Sequence, residues 1–161
     1  MLDYDTFKDE LIYWDSQKFI DNKVFKISLN KDPVDGFCFY WGSDSLSFRY
    51  FSHEKDLSFS LAEGYYEVAY EGKSKFIIKH RSSLLVKEGI DEYIYSQADY
   101  IMVNNGYTRI ANKRVFLNLF GDKSGEIKKF IRTNKIHIRK AGKNEIAAVL
   151  KYYDSMILSD R

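Results

Sequence analysis

The chain changes its hydrophobic period once, and that change decides what it can fold into. Up to about residue 111, apolar residues alternate with polar ones in short runs broken by glycine and asparagine; from Lys113 onward they recur every three or four positions. Alternation puts every second side chain on one face of a strand, whereas a three-to-four spacing lines one face of a helix. Strands joined by short turns pair antiparallel, and helices that follow them cover the sheet. The expected fold class is therefore α+β: an antiparallel sheet of β-hairpins with an N-terminal helix and C-terminal helices packed on it. One domain spans 1–161, strand-rich over about 22–111 and helical and basic over about 112–158.

The helical third is the most regular part. Val115, Phe116, Leu119 and Phe120 share a face, and Gly121 ends that segment. Asp122 and Ser124 offer cap oxygens to a second helix with Ile127, Phe130 and Ile131 inward, and Asn134 stops it. Lys135 to Arg139 alternates, as a short strand or an extended connector would. Gly142 breaks the chain and Asn144 is placed to cap a last helix, in which Ile146, Val149, Leu150, Tyr153 and Ile157 recur at helical spacing.

Ahead of it, residues 3–20 read as a helix, with Phe7, Leu11 and Trp14 on one side and Asp3, Asp5, Asp9 and Glu10 in the first turns. Val24 to Leu29 alternates, and 30–36 has the composition of a turn. Phe37 to Trp41 is a continuous apolar run, expected as a buried strand. Residues 42–45 turn, and Leu46 to Tyr50 and Leu57 to Leu61 alternate. Two hairpins follow: Tyr65 to Tyr70 with Lys75 to Lys79 around Gly72, and Asp99 to Val103 with Tyr107 to Ile110 around Asn104, Asn105 and Gly106. Ser82 to Gln97, between the hairpins, reads as an exposed polar excursion. Thirteen Tyr and twelve Phe lean the first two-thirds toward sheet.

Charge is unevenly spread. Arg109 to Lys151 holds twelve Lys/Arg against three Asp/Glu, and residues 1–108 hold twelve against eighteen, behind a formal net charge of +2. A basic stripe suits nucleic acid or another polyanion, an acidic partner, or the chain's own front half; a solvated helix face is the plainer reading. If the N-terminal helix docks on the basic third, the two ends of the chain close on each other.

The catalytic vocabulary is thin. Glycine-rich phosphate loops, a Gly-x-Ser-x-Gly elbow and His-Glu-x-x-His are missing. His53, His80 and His137 are far apart, and the carboxylates Glu67 with Glu71 and Asp91 with Glu92 read as solvated. The single cysteine, Cys38, precludes an internal disulfide and reads as a buried thiol among large apolar residues. No catalytic residue, metal site or cofactor is expected. Tyr93, Tyr95, Tyr100 and Tyr107 gather around the second hairpin and offer a stacking surface for sugars, peptides or bases, although cross-strand packing explains them as well. Lys128, Lys129 and Arg132 are the centre of the basic candidate surface. No apolar run is long enough to span a membrane and no export leader opens the chain as given, which reads as cytoplasmic.

Three stretches carry a resemblance: GYYEVAYEGKSKFIIKHRSSL (64–84), DYIMVNNGYTRI (99–110) and LFGDKSGEIKKFIRTNKIHIRK with EIAAVLKYYDSM (119–156). Over roughly two-thirds of its length the chain resembles an uncharacterised family of β-rich Bacteroidetes proteins with a helical, lysine-rich end. The resemblance implies no catalytic residues. It implies an exported protein, from which this chain departs by showing no leader and a shorter front. The expected function is a non-enzymatic module that binds a protein or a cell-envelope component. The alternatives are polyanion or nucleic-acid binding through the basic third, and a small hydrolase built from dispersed Asp, Glu and His.

Overall fold

The computed structural model describes residues 1–20, 23–29, 34–52, 61–87, 90–104 and 106–159. Among them the strands are β1 (Leu2–Asp5), β2 (Glu10–Ile20), β3 (Lys23–Ser28), β4 (Gly36–Trp41), β5 (Asp44–Phe51), β6 (Gly64–Glu71), β7 (Lys75–Lys87), β8 (Ile90–Val103) and β9 (Gly106–Arg109). The helices α1 (Lys113–Asn118), α2 (Ser124–Thr133) and α3 (Lys143–Ser159) follow. The strands form two antiparallel sheets, β1-β2-β3 and β4-β5-β6-β7-β8-β9, each in sequence order. The α+β class and the strand-then-helix order stand as read from the periodicity.

Pairing register divides the large sheet into two faces. Phe76, Ile78 and Ile101 share one face and are buried against Phe116, Ile127, Ile131, Val149 and Leu150 from the helices. On the same face, over β4 to β6, the ring of Tyr4 from β1 packs against Phe37, Phe48 and Tyr65 at 5.2–6.0 Å between centroids. The small sheet and the helices therefore cover neighbouring parts of one face. Phe51, Tyr66, Ile77 and Tyr107 form a second apolar cluster, with Tyr66, Ile77 and Tyr107 on the opposite face.

The N-terminal helix is corrected: residues 2–20 are two strands with a turn between them. The acids that resemble a helix start are turn chemistry instead. The Asp5 carboxylate accepts from the N–H groups of Phe7 and Lys8, and Asp9 sits at φ 58°, a conformation aspartate tolerates. The β-branched and aromatic run Ile12, Tyr13 and Trp14 then favours the sheet. Acid-to-base docking of the two chain ends gives way to another contact. Asp9 Oδ2 lies 2.8 Å from Nζ of Lys79, a buried lysine of β7 that also donates to the Tyr65 carbonyl at 2.9 Å. Gly64, at φ +138°, makes room for this pair, since a Cβ there would collide with the Asp9 carboxylate.

Other expectations shift in detail. Within the expected excursion, residues 82–87 and 90–97 are largely exposed but regular, the outer half of the β7–β8 hairpin, and 88–89 lie outside the described residues. β4 is an edge strand with Cys38 exposed, so neither a buried strand nor a buried thiol describes it. α2 starts without a side-chain cap from Asp122 or Ser124, and Asn134 does close it, its side-chain N–H donating to the Phe130 carbonyl. Asn144 lies inside α3, whose start is fixed by Glu145 accepting from the Gly142 N–H at 2.9 Å. Residues 135–139 are a connector that buries Ile136 and Ile138. The expected strand at 57–61 has 57–60 outside the described residues, as are His53, 30–33 of the expected turn, and Asn105.

Losing one partner of a buried pair leaves an uncompensated charge. Asp9→Asn is expected to lower unfolding free energy by about 3 kcal/mol in urea titrations followed by circular dichroism. Adding Lys79→Met should return part of that loss. A double variant whose destabilisation equals the sum of the two single effects would show that the two side chains do not interact.

Candidate functional site

Where the small sheet meets the helices, the large sheet carries a polar cluster built around Glu67 of β6. Its position follows from the hairpin register: Glu67 faces Ile78 on β7, so His80 lies diagonally beside it on the same face. Glu67 is buried, 3% exposed. One carboxylate oxygen meets Nε2 of His80 at 2.7 Å and the other accepts from Nζ of Lys143, at the start of α3, at 2.9 Å. An ionised carboxylate only accepts, so His80 Nε2 donates to Glu67, while Nδ1 lies within hydrogen-bond distance of the Tyr95 hydroxyl. Burial, the largest single influence, pushes the Glu67 carboxyl up, but the hydrogen bonds and charges of His80 and Lys143 together outweigh it and leave it below its ordinary value. Asp99, on the same face, moves the other way: burial raises it, the Gln97 hydrogen bond and His80 oppose, and Glu67 adds to the rise.

In composition this is an acid–base assembly, a histidine between a carboxylate and a phenol. Its geometry is that of a closed network. Both oxygens of Glu67 and both ring nitrogens of His80 are engaged within the protein. Neither residue lines the depression of about 520 Å³ beside β4 and β5, nor that of about 330 Å³ between the β6–β7 turn and α3. Burial likewise raises the Tyr95 phenol, which disfavours it as a nucleophile. The cluster ties β6, β7 and β8 to the first turn of α3.

The structure splits the four tyrosines. Tyr93 and Tyr95 are exposed on the helix-bearing face of the β7–β8 hairpin, Tyr93 in edge contact with Phe7 at 5.6 Å and Tyr95 against His80. Tyr100 and Tyr107 lie on the opposite face, Tyr100 edge-on to Tyr66 at 5.8 Å and Tyr107 edge-on to Phe51 at 5.8 Å. They pack the second cluster and share no surface with the other pair. Lys128, Lys129 and Arg132 are exposed along α2, with Lys135, Arg139 and Lys140 exposed just beyond. Among the described residues, no group of three or more His, Cys, Asp or Glu is placed to hold a metal ion, and no helix is long and apolar enough to cross a membrane.

A further surface feature was obscured in the sequence by its polar residues. From the Ser82–Tyr95 pair to the Lys87–Ile90 pair, β7 and β8 run on with no third strand beside them among the described residues, a ribbon about 20 Å long. At its base the Ser82 N–H donates to the Thr6 carbonyl at 3.1 Å and the two hydroxyls share a hydrogen bond. Beyond that, Leu84, Val86 and Tyr93 are exposed on one face and Leu85, Ile90 and Ile94 on the other. The signal was the pair of consecutive apolar runs, 84–86 and 93–95, which fits a strand pair apolar on both faces better than a polar loop. Comparison with protein-family models, curated proteins and solved structures finds no match to this chain.

Glu67 fixes a pH dependence. Its folded-state value is depressed, so its contribution is complete above the ordinary value of 4.5 and is lost as pH falls through the folded-state value. Asp99 has the opposite sign and costs stability as pH rises through its raised value. Glu67→Gln should cost on the order of 2 kcal/mol at neutral pH. In urea midpoints against pH, the gap between wild type and variant should close on the acid side. A gap that persists undiminished well into acid would remove Glu67 as the group responsible.

Proposed function

We propose that the chain is a non-enzymatic protein-binding module whose β7–β8 ribbon inserts into a groove of a partner protein. The observation that carries this reading is apolar exposure on both faces of one ribbon: Val86 is 63% exposed, Ile90 69% and Tyr93 64%. A two-stranded ribbon is marginal in water, and a contiguous apolar surface of this kind marks an interaction site. A partner that encloses the ribbon covers both faces at once. Among its described residues the ribbon sets exposed Asp91 and Glu92 against Lys87, so its rim is acidic. That favours a partner with basic residues around an apolar groove, and disfavours phosphate backbones. Tyr93 suits the anchoring role, with large contact area and few torsions to freeze.

The test is site-specific photo-crosslinking from Ile90 in the native cell, followed by affinity measurement with the purified partner. Tyr93→Lys and Val86→Lys should each weaken binding by about thirtyfold with little change in melting temperature. Undiminished affinity in both variants would move the site off the ribbon.

The exposed cations of α2 and the following connector support a second reading, polyanion binding centred on Lys128, Lys129 and Arg132. Heparin-column elution of the wild type and of a charge-reversed triple variant separates the two. Late, salt-dependent elution lost in the variant favours a polyanion surface. Equal early elution makes those residues a solvated face.

A further inference from the structure

We infer that the outer edge of β4 is a self-association surface, where β4 of a second copy pairs antiparallel about a two-fold axis at Cys38. This goes beyond the ribbon and rests on different residues.

Among the described residues the edge is unpaired, and it is built for a strand. Tyr50 N–H donates to the Asp35 carbonyl at 2.8 Å, which makes Asp35 and Tyr50 a hydrogen-bonded pair in the continued β4–β5 register. Hydrogen-bonded and non-hydrogen-bonded pairs alternate, so the backbone N–H and C=O groups of Gly36, Cys38 and Tyr40 point away from β5. No other described strand pairs with β4. Natural sheets blunt such edges with charge, proline or shortness. The other end strands among the described residues do so: β1 carries Asp3 and Asp5, β3 carries Lys23 and Lys26, and the four-residue β9 carries Arg109. β4, GFCFYW, carries no charge and no proline.

The occupant that fits is the strand itself. With Cys38 opposite Cys38 of the second copy, Gly36 falls opposite Tyr40 in both directions. The outward backbone groups of all three residues then meet their counterparts. The Tyr40 ring is 77% exposed, and Gly36 has no side chain to meet it. Beside Gly36 lies the depression of about 520 Å³ lined by Asp35, Cys38, Ser47 and Arg49. An aromatic ring laid over an edge glycine from a neighbouring strand is a known way to complete such a pair. Gly36 is fixed by its own sheet, because a Cβ there would collide with the Phe48 carbonyl. The match between ring and gap is therefore made twice by one axis, as an isologous dimer requires. An uncharged strand meets its own copy without repulsion.

The test uses the full chain in sedimentation equilibrium and light scattering, with a short bis-maleimide as probe. The native protein should show the mass of two chains and cross-link through Cys38, whose mate lies about 5.5 Å away between Cα atoms. Cys38→Pro removes an outward N–H that the monomer does not use, and should give the mass of one chain. Tyr40→Lys should do the same by placing a charge against the partner's strand, and it keeps the test open if the proline variant folds poorly. In Cys38→Ser/Ser47→Cys the thiols are three strand spacings apart, about 14 Å, and the short linker should fail. A native chain that stays monomeric at every concentration overturns the proposal. So does a dimer that survives Tyr40→Lys, or one that cross-links through Ser47→Cys instead of Cys38.

Discussion

The buried ion pair between Lys79 and Asp9 decides how the two sheets meet. A lysine in mid-strand, 3% exposed, cannot be left uncompensated. Its ammonium reaches the Tyr65 carbonyl, the Tyr66 ring at 4.9 Å and the Asp9 carboxylate. Asp9 brings the counter-charge, and it comes from the β1–β2 turn. Satisfying Lys79 therefore fixes that turn at the edge of β7, just past the start of β6, where Thr6 also accepts from Ser82. Tyr4 follows, its phenol hydrogen-bonded to Asp9 and its pKa raised by burial and by that neighbour, and its ring lands on Phe37, Phe48 and Tyr65. Without the pair, the small sheet would keep its aromatic contacts and the Thr6–Ser82 hydrogen bonds but lose the counter-charge that Asp9 brings to Lys79.

What could be read in advance followed from local spacing. The 72–74 turn and the Asn104-Gly106 region set two hairpins, and the inward face of α2 and α3 was legible from Ile127, Ile131, Ile146 and Val149. The errors have one origin, that a short pattern fits two structures. Phe7, Leu11 and Trp14 have helical spacing, and Asp5 followed by Asp9 resembles a capped first turn; the same residues make a strand, an Asp-stabilised turn and a strand. The choice was made by Lys79, some seventy residues away, which no local window contains. The same applies to β4. Four large aromatic residues and Cys38 in a row read as buried, but burial depends on which strand lies outside, and here none of the described ones does.

Long-range pairing also created the polar cluster that the sequence scattered. Glu67 and His80 were each visible, and each looked solvated by itself. The hairpin register sets them diagonally, and α3 adds Lys143 from across the fold. The resulting group has the composition of catalytic machinery and the connectivity of a structural clamp. What separates the two is whether a hydrogen-bonding position is left over for a substrate, and on Glu67 and His80 each side-chain oxygen and nitrogen already has a partner.

The charge asymmetry that looked like an end-to-end attraction is resolved differently. The front half spends key acids internally: Asp9 on Lys79, and Glu67 on His80 and Lys143. Asp154 of α3, buried at 6%, accepts from the Ser74 N–H and the Tyr70 phenol, and Gly72 leaves the space it needs. Of the basic third, Lys143 is drawn into the core network, while the α2 cations stay in solvent. The fold thus separates its surfaces by chemistry: a cationic helical side, an acid-rimmed apolar ribbon and an uncharged strand edge. By charge alone, a polyanion would favour α2 over the ribbon and a groove with a basic rim would favour the ribbon over α2, while the uncharged β4 edge would suit an extended strand that brings its own backbone hydrogen bonds.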